Sequence, residues 1–201
     1  MVLQPQTQHL TIAVLIVNWN GGALLSRCLQ SLSLQRRAPD RVVIVDNAST
    51  DGSLDEAVPS LPSATVIRLN ENLGFARANN IAAAAAADVD AFALLNPDAF
   101  AEPGWLEALA SAAERTPTAA AFACQMRLDA APDLLDGAGD SYHVSGRAWR
   151  NAHRQPLSAG PVRDTDVFAP CGAAALYRRP AFEDVGGFDE RFFCYFEDVD
   201  L

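Results

Sequence analysis

Short apolar runs rich in β-branched residues recur along the first half of this chain, each followed by a segment of helical periodicity. That alternation restricts the fold more than any other feature. Thr11 to Val17 (TIAVLIV) reads as a strand buried on both faces. Leu24, Leu25, Cys28, Leu29 and Leu32 then repeat at helical spacing through Ala23 to Gln35, and Pro39 closes the segment. The cycle continues with a strand at Arg41 to Val45 and a helix around Ser53 to Val58. A strand at Thr65 to Leu69 and a helix at Ala76 to Ala87 come next, then a strand at Ala91 to Leu95 and a helix from Gly104 to Arg115. Right-handed crossovers turn such a pattern into a mainly parallel α/β sheet with helices on both faces. Sheets of this kind bind ligands beyond the C-terminal ends of their strands.

The four strand ends carry Asn18 and Asn20, Asp46 and Asn47, Asn70 and Asn72, and Asn96 and Asp98. Asn and Asp are good turn and capping residues, which accounts for any one of these positions. Four successive strand ends of the same character point to a polar rim. The apolar stretch Ala119 to Met126 continues the fold, and then the alternation stops. Asp129 to Val162 reads as loop, with Gly137, Gly139, Gly146 and Gly160 and a basic cluster from Arg147 to Arg154. That cluster serves equally as an acceptor or phosphate contact or as a solvated excursion. Val167 to Tyr177 returns to a buried strand pattern, and Pro180 to Val185 is a short helix ended by Gly186-Gly187. Phe188, Phe192, Phe193, Tyr195 and Phe196 then precede the acidic run Glu197-Asp198-Val199-Asp200.

Several of these segments also bear on location and packing. Met1 to Leu10 reads as a flexible polar N-terminus without the cationic start and apolar core of a secretion signal, and the longest apolar stretch, Ile81 to Ala87, is far too short to span a bilayer. A cytoplasmic chain with reduced thiols is expected. Cys28 falls on an apolar helix face, Cys124 and Cys171 in apolar strands, and Trp19 and Trp105 read as packing residues.

All 15 basic residues are arginines, which excludes lysine-dependent phosphate loops, Schiff-base enzymes and kinases. A net charge of -10 argues against nucleic acid as a partner. An acidic chain that holds an anionic substrate needs local arginines, helix N-termini or a divalent cation. Three acidic stations stand out. Asp46 is placed to bind a base or ribose, Asp98 to hold a hard cation against a diphosphate, and Glu197 with Asp198, behind the aromatic wall, to take a proton. Together they suit displacement at a sugar carbon that carries a nucleoside diphosphate.

The motifs Ile16-Val17-Asn18-Trp19-Asn20, Val45 to Gly52 (VDNASTDG), Asn72 to Asn80 (NLGFARANN) and Leu95-Asn96-Pro97-Asp98 closely resemble those of family 2 glycosyltransferases of the GT-A, Rossmann-like fold. Gly172 to Leu176 and Gly186 to Leu201 resemble the rhamnosyltransferase-like branch. The resemblance implies one domain over 11–201, with a nucleotide-binding half (11–98) and an acceptor and catalytic half (99–201). It implies an inverting transferase that moves a sugar, rhamnose in this branch, from a dTDP- or UDP-sugar to a hydroxyl of a cell-envelope polysaccharide or lipid-linked glycan. The chain would then work at the inner face of the cell membrane through peripheral association.

Carried over residue by residue, Asn18, Asp46, Asn47, Asp51, Gly74, Arg77, Asn79 and Asn96 are expected at the nucleotide and diphosphate. Asp98 is expected at Mg2+ or Mn2+, Asp198 as base and Glu197 as its helper. Asn96 replaces the first acid of the family's D-x-D element. Family members continue beyond the point matching Leu201, where a histidine often supplies a further ligand, and none of His9, His143 and His153 matches it. The alternative is a non-catalytic nucleotide-sugar binding module. A pyrophosphorylase would need a lysine-bearing loop after the first strand, and a dehydrogenase a G-x-G-x-x-G.

Overall fold

The computed structural model describes residues 9–201, so the expected flexibility of residues 1–10 lies, up to residue 8, outside the described residues. The predicted alternation is present in order: β1 (Ile12–Asn18), α1 (Gly22–Ser33), β2 (Arg41–Asp46), α2 (Ser53–Ala57), β3 (Thr65–Arg68), α3 (Phe75–Ala84), β4 (Ala91–Leu95) and α4 (Trp105–Arg115). β1 pairs in parallel with β2 on one side and β4 on the other, and β2 pairs in parallel with β3. The second half adds β5 (Ala121–Ala123), β6 (Gln125–Leu128), β7 (Ala131–Ala138), β8 (Asp140–His143), β9 (Arg147–Arg150), β10 (Ala174–Arg178), α5 (Arg179–Asp184) and α6 (Glu197–Asp200). The sheet order is β3-β2-β1-β4-β10-β5, with β10 antiparallel to both neighbours.

Continuous apolar strands are explained by the two layers that cover them. Ile12, Val14, Ile16, Ile44, Ala91 and Ala93 pack with Leu25, Leu29, Leu106 and Leu109 of α1 and α4. The alternate residues Ala13, Leu15, Val43, Val45, Phe92 and Leu94 pack with Ala78 and Ala82 of α3 and with Phe182 and Phe188. Side chains of a strand alternate between faces, so a strand covered on both sides must be apolar throughout.

Several expectations need correction. Asp129 to Val162 is not a loop: β6 pairs with β7 and β8 with β9, both antiparallel. Leu135 is the one large apolar side chain these strands bury completely; they carry Asp133, Asp136, Gly137 and Asp140, and their hairpin pairing is supplemented by bonds to further backbone, such as Leu135 N–H on the Gln155 carbonyl at 2.8 Å. The strand expected from Val167 begins only at Ala174. Pro170 offers no N–H to a ladder, and Phe168 is exposed, stacked on Tyr142 at 5.3 Å. Trp19 is 58% exposed and is no packing residue.

Trp105 does pack, donating its indole N–H to Cys124 Sγ at 3.2 Å. Cys28 and Cys171 are buried, Cys171 in the turn before β10 rather than in a strand, and Cys124 joins β5 to β6. Among the described residues no helix is long and apolar enough to cross a membrane.

Candidate active site

The order β3-β2-β1-β4 places the C-terminal ends of β1, β2 and β4 side by side, where a doubly wound sheet opens a crevice. Asn18 ends β1 opposite Asp46, which ends β2. Asn18 is fully buried, and its Nδ2 donates to Asp46 Oδ1 at 2.8 Å and to the hydroxyls of Ser49 and Ser53 at 3.1 Å. Asp46 is almost buried, with Oδ2 accepting from the Ser49 N–H at 3.2 Å. Asn18 thereby holds the Asp46 carboxylate in one orientation. Gly21 is required beside it, because a Cβ there would stand 2.4 Å from Asn18 Oδ1. Asp51 ties the loop to α1 and α2, accepting from the Gly22 N–H at 2.9 Å and from the Ser53 N–H and hydroxyl at 3.0 and 2.6 Å.

Asn47 is buried and organises the next loop. Its amide donates to Asn72 Oδ1 at 2.8 Å and to the Gly74 carbonyl at 3.1 Å, and its Oδ1 accepts from the Leu73 N–H at 2.8 Å. Gly74 opens α3 at φ +83°, and a Cβ there would meet the Phe193 carbonyl at 2.3 Å. That carbonyl instead accepts the Phe75 N–H at 2.6 Å, which seats the aromatic segment on the start of α3.

Along α3, Arg77 faces Glu190 at 3.5 Å, while Asn79 is buried and donates to the Phe75 carbonyl at 3.0 Å. The neighbouring Asn80 makes the long-range bonds, donating to the Phe188 carbonyl at 2.8 Å and accepting the Phe188 N–H at 2.9 Å. Sequence reasoning singled out Asn79. The Asn-Asn pair carried the signal, and only packing shows that the second amide reaches the aromatic segment.

After β4, Asn96 is half-buried and its N–H donates to the Ala173 carbonyl at 2.9 Å. Asp98 is exposed, and among the described residues its carboxylate has no ion pair or hydrogen bond. An uncommitted carboxylate fits a hard cation that draws its other ligands from phosphate oxygens and water.

The residue before Ala173 closes the site, since the Gly172 N–H donates to Asp198 Oδ2 at 2.7 Å. Two consecutive residues thus tie the end of β4 to Asp198 and bring this carboxylate, more than a hundred residues away in the chain, to the rim that carries Asn96 and Asp98. Tyr195 and Phe196, both in the left-handed region at φ +72° and +71°, turn the chain into α6. Glu197 is then buried with Oε2 unpartnered, while Asp198 stays half-buried. Burial pushes the Glu197 carboxyl up to about 7.

Asp140 and Cys171 stand at the same place, and sequence reasoning missed both. Ligand atoms of Asp140, Cys171 and Asp198 lie within 4.8 Å of one another. Asp140 is 7% exposed with Oδ1 unpartnered, and burial, with Asp198 nearby, pushes it up to about 6. Burial holds the Cys171 thiol up at about 11. The Gly137-Ala138-Gly139-Asp140 run was the available signal, and its glycines read as loop.

Comparisons with known proteins bear on the family and the fold. The profile described as "Glycosyl transferase family 2" matches residues 13–186. An N-acetylglucosaminyl-diphospho-decaprenol L-rhamnosyltransferase of Mycobacterium tuberculosis is 34% identical, over 94% of this chain and 68% of that protein. The structure of S. aureus TarS 1-349 superposes with a TM-score of 0.67 at 19% identity, covering 94% of this chain and 53% of that one. GalNAc-T7 with UDP, GalNAc and Mn2+ superposes with a TM-score of 0.72 at 19% identity, covering 97% of this chain and 40% of that one. The chain thus spans about half the length, or less, of these solved structures. With the profile spanning most of the sequence and the sheet matching those solved folds, the chain belongs to glycosyl transferase family 2 and is a glycosyltransferase domain of the GT-A fold.

Proposed function

We propose that this domain transfers a sugar, with inversion, from a nucleoside-diphosphate donor to a hydroxyl of a cell-envelope glycan or lipid-linked glycan. The observation that carries the reading is the bridge from Asn96 through Ala173 and Gly172 to Asp198, which assembles a rim with an open carboxylate at Asp98 and another at Asp198. The rhamnosyltransferase relative favours rhamnose as the sugar and a polyprenyl-diphosphate-linked acceptor, which would bring the domain to a membrane surface as a peripheral protein.

Asp46, oriented by Asn18, receives the base and ribose. Gly74, on the loop that Asn47 holds, and Arg77, on α3, together with Asn96, line the diphosphate, while Asp51 and Asn79 maintain the loop and helix around it. Asp98 would hold Mg2+ or Mn2+, which when bound neutralises the charge growing on the leaving diphosphate. Asp198 takes the acceptor's hydroxyl proton as the new oxygen–carbon bond forms and the bond to the diphosphate breaks, help worth about 100- to 10,000-fold in rate. Gly172 N–H fixes Asp198 Oδ2 and leaves Oδ1 to face the acceptor. Glu197, buried beneath it, supports α6 and the local field.

Calorimetric titration of dTDP and UDP, with and without Mn2+, tests this reading. Nucleotide is expected to bind more tightly with Mn2+, and Asp98→Ala to abolish that gain while leaving metal-free affinity unchanged. Binding that ignores both Mn2+ and the substitution would remove Asp98 from the metal role. Absence of binding to either nucleotide under all conditions would overturn the nucleotide rim.

A further inference from the structure

Asp140 comes from the start of β8, Cys171 from the turn before β10 and Asp198 from α6, yet their ligand atoms lie within 4.8 Å of one another. Burying two carboxylates and a thiol together is costly unless something of opposite charge joins them. The protein itself supplies little. Asp140 Oδ1 is buried and has no hydrogen-bond partner, and Asp198 uses only Oδ2, on the Gly172 N–H. Arg150 is the nearby cation, and its guanidinium is bonded to Asp136. The polypeptide thus brings two carboxyl groups and a thiol together and leaves at least one buried lone-pair atom without a partner.

We infer that Asp140, Cys171 and Asp198 form a second cation site, separate from Asp98, for a borderline-soft divalent ion such as Zn2+. The donor set selects the ion. A thiolate favours Zn2+ and Co2+ over Mg2+ and Mn2+, and three protein ligands leave the fourth tetrahedral position open on the half-exposed side of Asp198. Zinc–ligand bonds of about 2.0–2.3 Å require these donors to approach somewhat closer than they stand. Ion binding releases the Cys171 proton to solvent, so affinity rises with pH. A consequence that rests on the transferase reading is that an ion here occupies Asp198 and competes with its role as base.

Co2+ serves as the probe, added to reduced protein in the absence of nucleotide. One equivalent is expected to give a near-ultraviolet sulfur-to-cobalt charge-transfer band with tetrahedral visible bands, and Zn2+ to bleach both while Mg2+ does not. Cys171→Ser should abolish the charge-transfer band, Asp140→Asn should weaken Co2+ binding by at least about tenfold, and Cys194→Ser should leave the spectrum intact. Circular dichroism checks that each variant is folded. Should Cys171→Ser unfold, Asp198→Asn, on the half-exposed side, carries the test with the same tenfold expectation. A wild-type protein without the band, or a band that follows Cys194, overturns the site. Because nucleotide is absent, failure here is distinct from failure of the dTDP and UDP titrations, which test Asp98.

Discussion

Glu197 shows how one side chain records a compromise between position and charge. It is 5% exposed with Oε2 unpartnered, in a four-residue helix entered through two left-handed residues. Its carboxyl titrates at about 7 in the fold against an ordinary 4.5 because burial disfavours the ionised form. The native state therefore holds this proton where the unfolded chain releases it. The contribution to stability is complete below about pH 4.5 and is lost as pH rises to about 7. Glu197→Gln, which cannot ionise, should escape that loss. In urea unfolding in metal-free buffer, the variant's advantage over wild type should grow across this window to roughly 3 kcal/mol at its upper end. A difference that stays flat with pH would show that Glu197 is ionised or solvated in the fold. The sequence marks Glu197 and Asp198 as a pair, but their division into a buried and an open carboxylate comes from the direction in which α6 is aimed.

At the scale of elements, β10 is the strand on which the second half of the molecule turns. It pairs with β4 and β5, and its Tyr177 packs against Phe182 and Phe188, each at 5.8 Å between ring centres. The Tyr177 hydroxyl is buried without a hydrogen-bond partner. A buried polar group left unpaired costs about 1–3 kcal/mol. Tyr177→Phe keeps the ring and removes that cost, so the urea midpoint should rise by the equivalent of about 1 kcal/mol. A fall would assign the hydroxyl a partner. The apolar strands β1, β2 and β4 were legible in the sequence because both faces of each are covered. The strands β7, β8 and β9 were not, since Leu135 is the one large apolar side chain they bury completely, so the β6–β7 and β8–β9 hairpins leave no alternating apolar pattern to read.

For the whole molecule, the net charge of -10 is spread over a surface whose ion pairs, such as Arg68–Asp55 and Arg115–Asp164, are exposed. Exposed pairs contribute at most about 1 kcal/mol each, while the excess negative charge repels itself over a distance that about 0.15 M salt cuts to roughly 8 Å. Raising NaCl from about 0.01 M to about 0.15 M should therefore raise the melting temperature, and a fall would mean that the ion pairs outweigh the repulsion. By itself the sequence determined the doubly wound half and the run of Asn and Asp at its strand ends, because local periodicity and turn chemistry suffice for these, and it marked Asp46, Asp98 and the Glu197–Asp198 pair as candidates. Tertiary structure alone decided that Gly172 and Ala173 join the end of β4 to Asp198, that Asn80 anchors Phe188, and that Asp140 and Cys171 meet Asp198. Those contacts link residues far apart in the chain, and only the packing of β10 and the aromatic segment against the sheet brings them within bonding distance.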